Sequence, residues 1–409
     1  MRGPAPALLV VLGGIAAALH VGKLPPALPA LREALGVSLV QGGFLLSLVQ
    51  LAGMSLGIAA GLAADTLGLK RTMVAGLLTL SAASMLGGWA QSAYELMALR
   101  ALEGLGFLLA SMPAPGLIRR LVRPDRMQTT LGLWGAYMPF GTAVAFLLGP
   151  HVIAAASWRP WWWLLGATSL SMAVWLWLAL PPDVRDTAIR VDGPEGSDHV
   201  WRARLARTLR SRGPWLIALT FAAYSAQWLA VIGFLPTVYA DAGLGPGISA
   251  IATAVAAAIN MTGNIASGLL LRRGVAARRL LFCGFAAMAA GAFLAFAQVW
   301  GGIDPVLAAG LKYAAVLMFS AVGGLIPGTL FSLSVALAPD ERTISTTVGW
   351  MQQWSSLGQV AGPPLVAWVA TNAQGWQWSW VVTGACAACG AGLAAMLARL
   401  LPREAEGRS

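Results

Sequence analysis

Residues 61–71 read GLAADTLGLKR and lie between two apolar stretches, 38–62 and 72–91. A helix needs about 20 apolar residues to cross a hydrocarbon core about 30 Å thick, and each stretch is long enough. The segment that joins them is short, polar and rich in glycine, as a tight turn requires. The sequence therefore predicts two membrane-spanning helices joined by a short loop.

Ten more apolar stretches follow the same pattern on either side of this pair. The chain is 58% hydrophobic and 11% charged, whereas about a quarter of the residues of a soluble domain are charged. A basic, apolar N-terminus resembles a secretory signal peptide, but eleven later spans favour an uncleaved first helix. We predict an all-α membrane protein with twelve transmembrane helices, at about residues 5–30, 38–62, 72–91, 94–118, 128–156, 160–180, 214–240, 247–271, 279–300, 305–336, 344–371 and 377–401.

Most basic residues of the chain fall on one predicted side of the membrane. A net charge of +11 would suggest a nucleic-acid partner in a soluble protein, but 22 of the 27 lysines and arginines fall in one alternate set of loops and ends. Cytoplasmic loops carry such an excess. We therefore expect a multi-pass protein of the cytoplasmic (inner) membrane, with both termini cytoplasmic and no nucleic-acid partner.

One long polar stretch, 181–213, divides the spans into two groups of six. It predicts an N-terminal six-helix bundle at 1–180, a cytoplasmic linker at 181–213 and a C-terminal six-helix bundle at 214–409. The bundles are expected to be pseudo-symmetric, because a basic loop follows span two at Lys70 and Arg71 and another follows span eight at Arg272–Arg279. Within the linker, 201–209 has helical periodicity; it lies either on anionic lipid headgroups or free in solvent.

The 61–71 loop resembles the loop signature of the major facilitator superfamily, whose members work by alternating access. The resemblance implies that Gly61, Asp65, Gly68, Lys70 and Arg71 form an inner gate. The glycines permit tight helix ends, and the Asp65 carboxylate suits a basic group or a helix N-terminus. The alternative is a simple turn with charges that set topology. The second half departs from the signature, since Arg272 follows Gly268 where the acid is expected.

Arg100–Gly106 in span four is similar to a second signature of the superfamily, with a basic residue inside the membrane. Glu103 stands where an amide is more usual. Arg100 and Glu103 are three residues apart on one helical face, so the two charges can neutralise each other. Either the pair is a static ion pair, or it couples transport to protons, with Glu103 protonatable and Arg100 modulating it.

Glycine–proline pairs occur at corresponding places in the two halves, at Gly149–Pro150 in span five and Gly362–Pro363 in span eleven. Such pairs disfavour a regular helix. They predict matched bends in the two helices that are used in gating.

Several stretches resemble the cyanate-permease branch of the superfamily: Tyr224–Gly243, Gly324–Gly328, Gln352–Gln353 and Gly362–Pro364. That branch carries a basic residue followed by proline deeper in its first helix. Here Lys23 lies within Gly22–Pro26, so cyanate itself is not carried over as the substrate.

The three lysines of the chain suggest the charge of the substrate. Lys70 lies in the loop, whereas Lys23 and Lys312 lie in spans of opposite halves. An ammonium can bind a carboxylate transiently, so we predict a small anion, most simply an organic acid, held near these two lysines. Alternatively, both lysines extend to lipid headgroups. Other candidate binding residues are His20, Tyr137, Tyr224, Gln227, Trp228, Asn260, Asn264, Gln352 and Gln353.

The sequence contains no nucleotide-binding Gly-x-x-x-x-Gly-Lys-Ser/Thr loop. An electrochemical gradient is then the expected energy source. We predict a secondary active transporter for a small solute, proton-linked, functional as a monomer, and without cofactor, metal or catalytic residues. The alternatives are a proton-coupled drug or metabolite exporter, a membrane-embedded enzyme acting on lipid-linked substrates, and a transporter-like sensor. An enzyme would need clustered acids or histidines, but His20, His151 and His199 are scattered.

Overall fold

The computed structural model describes residues 5–57, 68–123, 130, 134, 137–183, 202, 204–340 and 343–400. Within these ranges the chain forms helices, turns and bends, and no β-strand. Gly61, Asp65 and most of the 181–213 linker lie outside the described residues.

The helices follow one another in chain order with short connections. In the first half they are α1 Ala5–Gly22, α2 Leu24–Leu35, α3 Leu39–Ser47, a 3₁₀ turn Leu48–Gln50, α4 at 51–57, α5 Leu69–Gly87, α6 Ala93–Ser111, α7 Ala114–Leu121, α8 Tyr137–Ala156 and α9 Trp158–Ala179. In the second they are α10 at 204–210, α11 Arg212–Asp241, α12 Pro246–Ala258, α13 Asn260–Arg272, α14 Ala277–Phe296, α15 Pro305–Gly323, α16 Leu325–Ala336, α17 Ile344–Asn372, a 3₁₀ turn Trp376–Trp378 and α18 Ser379–Ala398.

Ten of the membrane-spanning helices predicted from the sequence are long and apolar enough to cross a bilayer. Some consist of two consecutive helices, such as α1 and α2, which together form Pro6–Leu35. The remaining two expected spans are the helices α5 and α17, with 19 and 29 residues. The all-α, twelve-span fold class is confirmed.

Helix breaks mark equivalent places in the two halves. In span four, α6 ends after 19 residues and a two-residue turn, Met112–Pro113, precedes α7. In span ten, α15 also ends after 19 residues, and Gly324 precedes α16. Spans four and ten occupy the same position in their respective halves, so the matching breaks support the pseudo-symmetry of the sequence.

The two glycine–proline pairs lie within continuous helices, and their predicted use as bends in gating stays a prediction. α8 continues through Pro150, and α17 continues through Pro363 and Pro364. Breaks occur instead at Lys23, at Met112–Pro113, at Ile259 and at Gly324. A proline removes one backbone donor, but a long helix held by neighbours on several sides tolerates that loss.

By packing, the chain divides into two compact units that do not follow the sequence halves. The first contains Met1–Asp186, Leu229–Ala258 and Gln359–Trp376. Within it, parts of spans seven, eight and eleven pack on helices of the first half. For example, a Cβ built on Gly43 of α3 would lie 2.8 Å from Pro364 Cα of α17. The division at 180 and 213 stays a prediction.

The second unit contains Thr187–Trp228, Ile259–Gly358 and Gln377–Ser409. One close helix crossing in this unit joins α13 to α15. A Cβ built on Gly263 would lie 2.0 Å from Ala321 O, and one on Gly324 would lie 2.2 Å from Asn260 O. Glycine at both positions lets the two backbones touch at the point where spans eight and ten are broken.

Candidate functional site

Four ionisable side chains meet in the interior of the first unit, and we call them the Lys23 cluster: His20, Lys23, Arg100 and Glu103. His20 and Lys23 are 0% exposed, and Arg100 and Glu103 are 1% exposed. His20 lies at the end of α1, Lys23 at the break before α2, and the other two on α6. The sequence assigned these residues to two separate roles, substrate binding and proton coupling. The structure brings them into one group.

Glu103 lies at the centre of the Lys23 cluster and contacts both cations. One carboxylate oxygen, Oε1, accepts a hydrogen bond from Lys23 Nζ. The other, Oε2, lies 2.6 Å from Arg100 Nη1, as the three-residue spacing predicted. His20 Nδ1 is 3.7 Å from Oε1, and His20 Nε2 is 2.7 Å from Ser169 Oγ.

Lys23 is enclosed by polar and aromatic groups. Its Nζ donates to Ser84 Oγ at 2.9 Å and lies 4.6 Å from the centre of the Trp162 ring. Ser84 Oγ in turn donates to the Trp162 carbonyl at 2.7 Å, and Trp161 Nε1 donates to the Lys23 carbonyl at 3.1 Å. A fully buried ammonium does not reach lipid headgroups, so the alternative role predicted for Lys23 is excluded in this conformation.

Prolines explain why span one is broken beside this cluster. Pro25 has no N–H, so the carbonyl of Val21, four residues earlier, loses its helical donor. Arg100 supplies replacement donors: Nη2 lies 3.4 Å from Val21 O and Nη1 lies 2.5 Å from His20 O. Its Nε donates to Leu45 O at 3.1 Å. Arg100 therefore joins span four to spans one and two through backbone carbonyls, and it also neutralises Glu103.

The Lys23 cluster carries more positive than negative charge. Arg100 is permanently charged, and a protonated Lys23 adds a second cation, while Glu103 is the one carboxylate that contacts them among the described residues. An unbalanced charge buried in a protein interior is strongly unfavourable. The cluster therefore favours either an additional anion or the loss of a proton.

The described end of the 61–71 loop is held by a residue that the sequence analysis did not select. Asp183 Oδ1 accepts from the Lys70 N–H at 2.9 Å and Oδ2 accepts from the Arg71 N–H at 3.1 Å, so its carboxylate caps the N-terminus of α5. Lys70 Nζ donates to Leu180 O at 2.6 Å, just after α9. Gly68, with φ of +99°, leaves the space that Asp183 occupies.

A second polar group forms in the second unit, around the breaks in spans eight and ten. Asn260 Nδ2 donates to the Tyr224 hydroxyl at 3.1 Å and to Ser320 O at 2.8 Å. Asn264 Nδ2 donates to Asn260 Oδ1 at 3.0 Å. Trp228 Nε1 donates to Ser320 Oγ at 3.3 Å. Four of the predicted binding residues therefore share one network, which Ser320 completes.

The remaining predicted residues lie elsewhere. Tyr137 stacks on Trp134, with ring centres 4.1 Å apart. Lys312 and Gln352 are exposed, and the exposure of Lys312 fits the alternative that it reaches the lipid headgroups. Gln227 and Gln353 each bury a side-chain oxygen that has no partner within the described part of the chain.

Sequence reasoning missed several contributors because their signal is weak. Ser84 and Ser169 are small polar residues in apolar helices, where serine is common and usually bonds its own backbone. Trp161 and Trp162 belong to a run of three tryptophans at the start of α9, which is also typical of a membrane interface. Asp183 follows two prolines directly after span six, and that position was a usable sign of a helix cap.

These features together define a polytopic helical membrane transport protein. The chain belongs to the Major Facilitator Superfamily, whose sequence profile it matches over residues 10–348. The comparisons therefore indicate a transporter rather than an enzyme.

Similarity to individual sequences is partial. The chain is 32% identical over 191 residues to the puromycin resistance protein pur8 of Streptomyces alboniger, covering 46% of this chain and 36% of that protein. It is 28% identical over 231 residues to the multidrug resistance protein MdtH of Edwardsiella ictaluri, covering 56% and 55%. It is 27% identical over 297 residues to the 2-nitroimidazole transporter of Escherichia coli K12, covering 67% and 69%. The chain thus spans about a third and about half of the first two relatives.

Similarity in fold extends over the whole chain. A bacterial homologue of the human lysosomal transporter Spinster, in an inward-facing and occupied conformation, superposes with a TM-score of 0.80 at 17% identity, covering 98% of both chains. A D-xylose–proton symporter superposes with a TM-score of 0.74 at 16% identity, covering 97% of both. At these identities the likeness describes the fold alone.

Proposed function

We propose that the protein carries a small organic anion across the cytoplasmic membrane by alternating access, together with a proton. The observation that supports this most strongly is the Lys23 cluster, in which two cations share one carboxylate at 0–1% exposure. A monovalent anion beside Lys23 would balance the charge. A substrate reaches this site after the surrounding helices rearrange, which is what alternating access supplies.

Lysine suits such a transient site better than arginine. Its ammonium is a compact charge on a flexible chain, whereas a guanidinium tends to form fixed, planar contacts. In this protein Arg100 makes fixed contacts with three carbonyls and Glu103, which leaves Lys23 as the cation that can exchange partners. Lys312 is left out of the proposal because it is exposed.

The remaining roles extend the same proposal. Both termini and the linker are placed on the cytoplasmic side, and the protein works as a monomer. The 61–71 loop, including Gly61 and Asp65, together with Gly149–Pro150 and Gly362–Pro363, contributes to gating.

Uptake into proteoliposomes tests this function. Vesicles with an imposed pH gradient would be given radiolabelled lactate, gluconate or benzoate, with empty vesicles as the control for passive entry. We expect gradient-dependent uptake of at least one acid, lost in Lys23→Gln and retained in Lys312→Gln. Equal uptake by wild type and Lys23→Gln, with both correctly inserted, would refute a role for Lys23 in anion transport.

A second candidate, a proton-coupled exporter of drugs, is favoured by the names of the sequence relatives, which include a puromycin resistance protein and a 2-nitroimidazole transporter. The same vesicles separate the two functions. Proton-driven movement of puromycin or 2-nitroimidazole, without movement of any of the acids, would favour the exporter.

A further inference from the structure

We propose that Lys23 is the residue that carries the coupled proton, binding it when the anionic substrate binds and releasing it when the substrate leaves. This inference rests on the proposed function, since it concerns how an anion and a proton are linked. It moves the proton from Glu103, the group that sequence reasoning favoured, to the lysine beside it.

The charges of the cluster select Lys23. Arginine keeps its proton in proteins, so Arg100 always supplies one positive charge. Protonating Glu103 would remove the one negative charge that contacts these cations among the described residues, and would leave the burial of two cations uncompensated. Deprotonating Lys23 instead leaves a neutral amine beside a balanced Arg100–Glu103 pair. The cluster is therefore neutral in two states: without a proton on Lys23, or with that proton and a bound monovalent anion.

Hydrogen bonding around Nζ is compatible with both states. The described residues offer Nζ two acceptors, Ser84 Oγ at 2.9 Å and Glu103 Oε1. A neutral amine has two N–H groups and an ammonium has three, so the amine satisfies both acceptors with no donor left over. The third N–H of the ammonium can then bind a carboxylate oxygen of the substrate.

Other groups around Lys23 do not offer a better proton site. His20 from α1 and Arg100 and Glu103 from α6 are the charged or titratable side chains that face it. The facing groups of α5 and α9 are Ser84 and Trp162. α8 packs at Gly22 through Thr142 and Ala145, which do not titrate. A proton on His20 would add a third positive charge to the cluster and worsen the imbalance.

Coupling follows from this arrangement by thermodynamic reciprocity. If a bound anion favours the protonated Lys23, then a proton on Lys23 favours anion binding by the same factor. The two ligands therefore bind together and leave together. Each cycle moves one proton and one monovalent anion, with no net charge.

Trp162 provides a readout that needs no transport. Its ring lies 4.6 Å from Nζ, so the ammonium and the amine should give different indole fluorescence. The purified wild-type protein would be titrated with pH, and the signal of Trp162→Phe subtracted to isolate this residue. Lys23→Gln and Lys312→Gln would be titrated in the same way, with circular dichroism to confirm that each protein is folded.

We expect wild type and Lys312→Gln to show one transition that Lys23→Gln lacks. Lactate, gluconate or benzoate should move its midpoint to higher pH, because a bound anion stabilises the protonated lysine. A transition that persists in Lys23→Gln, or no transition in folded wild type, would overturn the inference. A transition that depends on Lys23 but that none of the acids moves would support the proton site and count against an organic anion as the substrate.

Discussion

At the residue scale, Glu103 and Lys23 occupy the same buried cluster but differ in what their removal leaves behind. Replacing Glu103 leaves the permanently charged Arg100 without a counter-charge, whether or not Lys23 carries a proton. Replacing Lys23 leaves the Arg100–Glu103 pair intact at 2.6 Å. Breaking a buried pair by removing one partner destabilises a protein by roughly 3–5 kcal/mol, so the two changes should have unequal effects.

We predict that Glu103→Gln lowers thermal stability in detergent much more than Lys23→Gln does. The double variant Lys23→Gln/Glu103→Gln should stay about as unstable as Glu103→Gln, since Arg100 has no counter-charge in either protein. Melting of the four proteins, followed by circular dichroism, gives the comparison. Similar losses for both single variants would show that charge balance does not govern the cluster.

The contacts within the Lys23 cluster could be predicted from the sequence only in part. The Arg100–Glu103 pair could be predicted, because three residues on one helix fix the geometry. The contact between Lys23 and Glu103 could not, because it depends on how span one packs against span four, 80 residues later. The contacts of Ser84 and Trp162 with Lys23 could not be predicted either, since many serines and tryptophans in apolar helices have no charged neighbour.

At the scale of the helix, close backbone contact depends on particular glycines. In α13, Gly263 faces α15 and its added Cβ would lie 2.0 Å from Ala321 O, whereas a Cβ on Gly268 would meet nothing within 4 Å. Both glycines lie in the same helix. Alanine stabilises an unobstructed helical position by roughly 0.5–1 kcal/mol relative to glycine.

We therefore predict opposite effects for two alanine substitutions in α13. Gly268→Ala should be neutral or slightly stabilising, and Gly263→Ala should be destabilising and should lower the yield of folded protein. The melting temperature and the monodispersity of each purified variant measure this. A Gly263→Ala protein as stable as Gly268→Ala would contradict the packing at the breaks of spans eight and ten.

The number and order of the spans were the most predictable features at this scale, because length and apolarity decide which segments cross a membrane. The breaks inside spans could not be predicted. Span one breaks beside Val21, whose carbonyl finds a substitute donor in Arg100. That condition depends on neighbouring helices and not on local sequence.

For the whole molecule, the distribution of basic residues predicts that both termini and the linker are cytoplasmic. The test is a pair of reporter fusions after Ser197, one active in the cytoplasm and one active in the periplasm. We expect activity from the cytoplasmic reporter alone, since positive loops are retained on that side. Periplasmic activity would invert the assigned orientation and place the 61–71 loop on the periplasmic side.

The central claim, that a proton and a monovalent anion move together through the Lys23 cluster, is tested most directly by the charge moved in each cycle. Proteoliposomes containing a pH-sensitive dye would receive the acid that binds best, with the membrane potential set by valinomycin and potassium. The account predicts acidification of the lumen by wild type at a rate that the potential does not change, and no protein-dependent acidification by Lys23→Gln. Acidification by wild type whose rate follows the membrane potential, or that persists in Lys23→Gln, would contradict it.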